Sequence, residues 1–174
     1  REQELQRLTA DYRRQAGELS SKRDKAAKQL EKAVNAQLAR LGMGSARFVA
    51  GLNADTSREP NTHGFDSIEF LVSTNAGQPA KPLIKIASGG ELSRISLAIQ
   101  VVTAQTSAIP TLVFDEVDVG IGGGTAKAVG ELLRQLGERG QVLCVTHQAQ
   151  VAAQAHQHLL VSKTSVKQNT TSSL

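Results

Sequence analysis

The chain has 174 residues, 40% apolar and 21% charged, the balance of a globular chain with a core rather than of a disordered or collagen-like one. Aromatic residues are only 3%, so the core must be built from Leu, Ile, Val and Ala; no apolar run approaches the ~20 residues that span a bilayer, and the lone Cys144 excludes an internal disulfide and suits a reducing cytoplasm. The net charge of +4 is carried wholly by residues 1–41, where ten Lys/Arg meet six Asp/Glu while the remainder holds ten of each; such a segment can touch nucleic-acid phosphates or simply present a solvated helix face. No basic-then-apolar leader opens the sequence, so no secretory signal is expected.

Residues 2–41 read as one long helix. Leu5, Leu8, Tyr12, Ala16, Leu19, Ala26, Leu30, Val34, Leu38 and Leu41 recur mostly at steps of three or four, the spacing of a coiled-coil seam, with Lys22 and Arg23 filling one skipped position. A narrow seam needs a partner helix, from another chain or from a preceding part of this one. Gly42 and Gly44 end the helix. Strands are predicted over 47–53 and 66–74, the second with Ile68, Phe70 and Val72 on one face, and the polar stretch 54–64 joins them. A turn follows at 75–79 and a short strand at 83–86.

From Ser88 the pattern becomes α/β. A helix over 91–106 places Leu92, Ile95, Ile99 and Val102 on one face; 111–114 is a buried strand ending in Asp115-Glu116; 125–136 is a helix with Val129, Leu132, Leu133 and Leu136 inward. A second buried strand over 141–145 ends at Thr146-His147, a short helix covers 148–155, and a third strand covers 158–161. Short apolar strands alternating with helices predict a parallel sheet covered on both faces, with its chemistry at the carboxyl ends of the strands. Residues 164–174 are polar and unpatterned and read as a loop or tail. The division is an arm helix over 1–41 and an α/β lobe over 42–174.

Three motifs carry chemistry. In Ser88-Gly89-Gly90-Glu91-Leu92-Ser93-Arg94, Ser88 and Glu91 have capping-box spacing, and the two glycines let backbone N–H groups approach an anion at a helix N-terminus. An ordinary capped helix after a turn fits that motif equally well. In Thr111-Leu-Val-Phe-Asp115-Glu116, a strand delivers two adjacent carboxylates pointing in different directions; one can orient a Mg²⁺-bound water and the other can take a proton from an attacking water. Alone, it is also simply a polar strand end. His147 closes another strand and can donate to a terminal phosphate or cap a helix. His63, His156 and His158 read as structural or solvent-exposed, with no third ligand to make a metal site of the latter two. The glycine-rich run from Gly120 to Lys127 imitates a phosphate loop, but no Gly-Lys occurs anywhere in the chain, so it reads as a turn into a helix.

The order of these motifs, each separated by about one helix and one strand, resembles the second half of the ABC-type ATPase head. Ser88–Arg94 is similar to the signature motif, Val113–Glu116 to Walker B with its catalytic Glu, Val117–Gly120 to the D-loop, and His147 to the switch histidine. A coiled-coil helix running into the head is the SMC-like arrangement. Within that group Ala87-Ser-Gly-Gly-Glu-Leu-Ser-Arg-Ile-Ser-Leu-Ala, Phe114-Asp-Glu-Val-Asp-Val-Gly-Ile and Val145-Thr-His-Gln-Ala-Gln-Val-Ala-Ala-Gln resemble the RecN family, over residues 85–163 most specifically. Transporter ATPases share the order but typically have Leu-Ser-Gly-Gly-Gln, against Ala87 and Glu91 here.

The resemblance implies the C-terminal lobe of an ABC/SMC-type head with a mostly parallel sheet flanked by helices. It implies ATP and Mg²⁺ as ligands, and as partners the N-terminal half of the same head with its Walker A, a second head in an ATP-sandwiched homodimer, and DNA, with no membrane. Asp115 would help hold Mg²⁺, Glu116 would be the general base, and His147 would contact the γ-phosphate. Ser88, Gly89, Gly90 and Glu91 would engage the ATP of the opposite head, and Asp118 would report across the dimer. It further implies double-strand-break repair in the cytoplasm, on the nucleoid. Two departures stand: Walker A is absent, so the chain alone is expected to be inactive, and the family's final segment after Lys163 is absent or altered. The alternative is a coiled-coil dimerisation or DNA-tethering module with an idle nucleotide fold.

Overall fold

With no Pro and only Gly17 before Gly42, nothing interrupts the first helix, and in the computed structural model α1 runs over Glu2–Arg40. Residues 1–106, 109–166 and 169–173 are described. Met43 N–H closes onto the Leu38 carbonyl at 2.9 Å, and Gly42 adopts φ +72°, the left-handed conformation that ends helices. A side chain at Gly42 would also meet Thr125 Cγ2 at 2.9 Å, so glycine is demanded twice.

The seam of α1 divides into two stretches. Leu5 and Leu8 are exposed, whereas Val34, Leu38 and Leu41 are fully buried. Midway, the expected Ala26 faces solvent and Ala27 turns toward the core instead. The register shifts there because Arg23, the apparent interruption, is engaged: its Nη1 donates to Asp66 Oδ2 and to the His63 carbonyl, both at 2.8 Å, and Ser20 Oγ donates to Asp66 Oδ1 at 2.7 Å. The Asp66 side chain is wholly buried by this contact.

Strands β1 (Arg47–Ala54), β2 (Asp66–Ser73) and β3 (Lys81–Pro82) form an antiparallel sheet in that order, with Phe48 opposite Val72 and Leu71 opposite Pro82. Phe48 and Val72 are buried against α1, while Ile68, nearer the other end of β2, is exposed. The outer edge of β1 is occupied by α1. Asn35 both donates to and accepts from the backbone of Phe48, at 3.0 and 2.8 Å, and Glu31 Oε1 accepts the Ala50 N–H at 2.9 Å. Side chains thus do for this edge what another strand would do.

The α/β part follows the expected order. Helix α2 (Gly89–Thr103) leads to β4 (Thr111–Phe114), α3 (Gly123–Gly137), β5 (Gln141–Cys144) and the single turn α4 (Ala149–Ala152). Strands β4 and β5 are parallel, Phe114 beside Cys144. Val129, Leu132, Leu133 and Leu136 of α3 are buried as their spacing implied, and Ile95, Leu97 and Ala98 of α2 join them in one core with Leu38, Phe48 and Phe114. The α/β class expected from the sequence is therefore the observed one.

Four details differ. The pair β4–β5 is covered on one face only: Phe114 is buried, but Val113, Leu143 and Val145 on the other face are 67%, 45% and 64% exposed. Among the described residues that sheet has two strands, and 158–161 is not a third; with no ladder to join, Leu159, Leu160 and Val161 stay exposed. The segment 83–86 is a 3₁₀ turn at Leu83–Lys85 rather than a strand, because the ladder with β2 ends at Pro82. Finally, the expected tail is a hairpin of β6 (Ser162–Val166) and β7 (Asn169–Ser173). Its Thr- and Val-containing sequence suits strands, but without polar/apolar alternation it carries no period-two signal. Residues 167, 168 and 174 of that stretch lie outside the described ones. No helix among the described residues is long and apolar enough to cross a membrane.

Candidate functional site

The glycine-rich motif sits at the N-terminus of α2, as its capping signature implied. Ser88 is the N-cap in extended conformation, and its Oγ accepts the Glu91 N–H at 3.4 Å. The orphan N–H groups of the first turn and the helix dipole make this end attractive to anions. Directly against it lies the end of β4. The Glu116 carboxylate rests on Gly89, where a methyl group would overlap Glu116 Oε2. At Gly90 a side chain would meet the Glu116 carbonyl at 3.2 Å and Val119 Cβ at 3.4 Å. The two glycines therefore let α2 and the strand end close on each other.

Glu116 itself has φ +60°, and it is the only non-glycine residue with positive φ among those described. That conformation disfavours a Cβ-bearing residue and costs about 1 kcal/mol or more. It is held by the surroundings: the Glu116 N–H donates to Asp115 Oδ1 at 2.9 Å, and Ser93 Oγ of α2 donates to the Asp115 carbonyl at 2.6 Å. Asp115 and Glu116 are both exposed at the strand end.

The next turn sends Asp118 inward. It is 1% exposed, accepts a short hydrogen bond from Thr146 Oγ1, and its Oδ1 lies 3.8 Å from His147 Nδ1. Thr146 Oγ1 also accepts the Gln148 N–H at 3.0 Å, and Gln148 Nε2 donates to the Ile121 carbonyl at 3.0 Å. The ends of β4 and β5 are thus laced together, with His147 exposed at the rim, its Nδ1 beside Asp118 and its Nε2 3.4 Å from Gln148 Nε2. Beneath them, burial first and the charges of Asp118 and Asp115 second push the Cys144 thiol up to about 11.

Every residue singled out from the sequence therefore lies along one strip: Ser88, Gly89, Gly90 and Glu91 at the start of α2, Asp115, Glu116 and Asp118 after β4, and His147 after β5. Glu116 meets the glycines and His147 meets Asp118; no hydrogen bond or ion pair among the described residues links His147 to Glu116. Gly120 and Gly122 lie in the turn into α3, Gly123 and Gly124 open the helix, and Lys127 pairs at 3.8 Å with Glu131 on the same helix. His63, His156 and His158 are exposed. The described residues contain no group of three or more His, Cys, Asp or Glu able to hold a metal. The fit to Mg²⁺ is that of a contributor: Asp115 offers one carboxylate, which suits an ion held mainly by phosphate and water. The sequence reading placed Ser93 and Arg94 in the signature-like motif and Thr146 and Gln148 beside the histidine, but gave none of them a role. Their only signal was position: polar side chains one turn into the helix, or flanking the histidine.

No family model matches the chain. Curated relatives do. The DNA repair protein RecN of Vibrio cholerae is 53% identical over 148 residues, 85% of this chain and 26% of that protein. The RecN of Treponema pallidum is 46% identical over 176 residues, covering 99% of this chain and 31% of its own length. The RecN of Haemophilus influenzae is 52% identical over 152 residues, with 87% and 27% covered. The chain belongs to the RecN family. It spans between about a quarter and a third of those relatives. Solved structures give the same fold at low identity. The Smc head domain of Pyrococcus furiosus, with an extended coiled coil and bound to the C-terminal domain of ScpA, matches with a TM-score of 0.55 and 18% identity, covering 87% of this chain and 35% of that one. The Smc head of Pyrococcus yayanosii with a coiled coil and joint gives 0.55 at 20% identity, with 87% and 27% covered. This RecN-family segment thus has the fold of SMC head domains, an α/β part preceded by a long helix.

Proposed function

We propose that this segment is the signature and Walker B lobe of a RecN-type ATPase head, and that the complete protein hydrolyses ATP in the repair of DNA double-strand breaks, in the cytoplasm on the nucleoid. The observation that carries the reading is the seating of the Glu116 carboxylate, at the end of β4, on Gly89 at the N-terminus of α2. A potential base and an anion-binding helix end share one place, as a reaction of water with a terminal phosphate requires.

In this reading Glu116 takes the proton of a water whose oxygen attacks the γ-phosphorus, while the bond to the bridging oxygen of ADP breaks. Asp115 would help hold Mg²⁺, and His147 would donate to the γ-phosphate. Ser88, Gly89, Gly90 and Glu91 engage the nucleotide held by a second head, so that two heads sandwich two ATP molecules. Asp118, turned inward to Thr146 and His147, carries the state of the histidine to the loop through Gly120 at the dimer face. Mg²⁺, when bound, supplies charge neutralisation along the phosphates. The exposed apolar face of β4–β5, with Val113, Leu143 and Val145, supports a missing partner lobe, the N-terminal half with Walker A. Closing and opening of the dimer would move the arms that tether DNA.

The chain alone lacks the groups that grip the β- and γ-phosphates and is expected not to turn over Mg·ATP. In the complete protein, Glu116→Gln should lower kcat by about two to four orders of magnitude with ATP binding retained. Turnover by the isolated chain that Glu116→Gln abolishes, or a complete protein whose kcat ignores that substitution, would overturn the reading.

A further inference from the structure

Arg94 stands one turn into α2 and is 8% exposed. A guanidinium is among the most expensive groups to bury and remains charged, although burial lowers its pKa while Glu91 nearby opposes that. No carboxylate forms an ion pair with it among the described residues. Its Nη1 instead donates to the carbonyls of Val119 at 2.9 Å and Val117 at 3.4 Å, and its buried Nε has no partner. An apolar side chain of similar volume would fill this place at lower cost, so the fold does not explain the charge.

What the charge holds is informative. Ser93, the preceding residue, takes the Asp115 carbonyl. Two neighbours on one helix therefore hold the carbonyls of 115, 117 and 119, and the residues between these, Glu116 and Asp118, are the ones whose carboxylates reach Gly89 and Thr146. Gly90 keeps the passage open: a side chain there would come within 3.3 Å of Arg94 Nη1.

We propose that Arg94 is a positioning residue for hydrolysis: its buried guanidinium, with Ser93 beside it, fixes the backbone from 115 to 119 to the start of α2, and so sets where Glu116 and Asp118 stand. The inference rests on the ATPase reading above. Both carbonyls are held by the one nitrogen Nη1, so the ammonium of a lysine, with three donors on a single nitrogen, can retain part of the contact.

The test uses the complete protein carrying Arg94→Met, Arg94→Lys or Ser93→Ala, with ATPase kinetics and hydrogen exchange of the peptide spanning 115–120 measured together. Arg94→Met should lower kcat about tenfold or more with KM for ATP within about twofold, because a misplaced base harms chemistry more than binding. Exchange over 115–120 should quicken while β1 and β2 stay as protected as before, and Arg94→Lys should recover part of both. An unchanged kcat or unchanged exchange would overturn the proposal, as would protection lost equally from β1 and β2, which would make Arg94 merely structural. Ser93→Ala, a milder change, should shift both readouts in the same direction; exchange unaltered in it and in Arg94→Met refutes the positioning. If the unsubstituted complete protein shows no ATPase, the reading of the site fails, and exchange over 115–120 still decides whether Arg94 holds the loop.

Discussion

Glycine at position 89 serves proximity rather than backbone conformation, since its φ is not positive and only the flexible end of Glu116 stands in the way of a methyl group. Gly89→Ala should therefore leave the thermal midpoint unchanged or slightly raised, alanine being the better helix former by up to about 1 kcal/mol, while displacing the Glu116 carboxylate and depressing ATPase activity of the complete protein. A midpoint lowered by several degrees would show that the glycine supports the fold instead. Cys144 gives a second residue-scale outcome. Burial and the nearby Asp118 and Asp115 raise its thiol to about 11, so at pH 7.5 almost none is thiolate, and alkylation of the native chain should be far slower than of the unfolded one. Equal rates would mean that the end of β5 is open.

At the scale of elements, α1 is fixed to the lobe at two levels. Lower down, Leu38 is wholly buried beneath the antiparallel sheet, and Leu38→Ala should cost about 2–5 kcal/mol in thermal or denaturant unfolding. Higher up, Asp66 joins the arm to the start of β2. Its burial favours the neutral acid, but the hydrogen bonds from Arg23 and Ser20 and the charge of Arg23 prevail and hold its pKa below the usual carboxylate range. A depressed folded pKa means that this stabilisation is full above the unfolded value of about 3.9 and is lost as pH falls through the folded one. Asp66→Asn should thus lower stability at neutral pH and flatten its fall below about pH 4; an unchanged acid limb would contradict the clamp.

These elements also mark what the sequence could disclose. The strands and helices bearing the motifs were legible because each had an apolar period and a polar end. The arm was legible until Arg23, where an ion pair replaced a seam residue and shifted the register to Ala27. The 162–173 hairpin, with no alternating face, was not. Neither were the carbonyls that Arg94 meets, because α2 also carries Glu91, Ser93, Ser96 and Gln100 and its spacing alone does not tell which polar side chain turns inward.

For the whole molecule, two of the exposed apolar stretches among the described residues bear on the proposed reading. Leu5 and Leu8 lie exposed in the first turns of α1, and Val113, Leu143 and Val145 on the uncovered face of β4–β5. A parallel sheet is ordinarily buried on both sides. In the proposed reading, the phosphate-gripping half of the head sits on that face and brings a nucleotide to Gly89, Asp115, Glu116 and His147. The most direct measurement adds that N-terminal half in trans and follows ATP hydrolysis with this chain as it stands and with Glu116→Gln. Activity that arises only on mixing and disappears with the substitution is the expected result. Association of the two halves without hydrolysis would contradict it and leave a tethering module with an idle nucleotide fold.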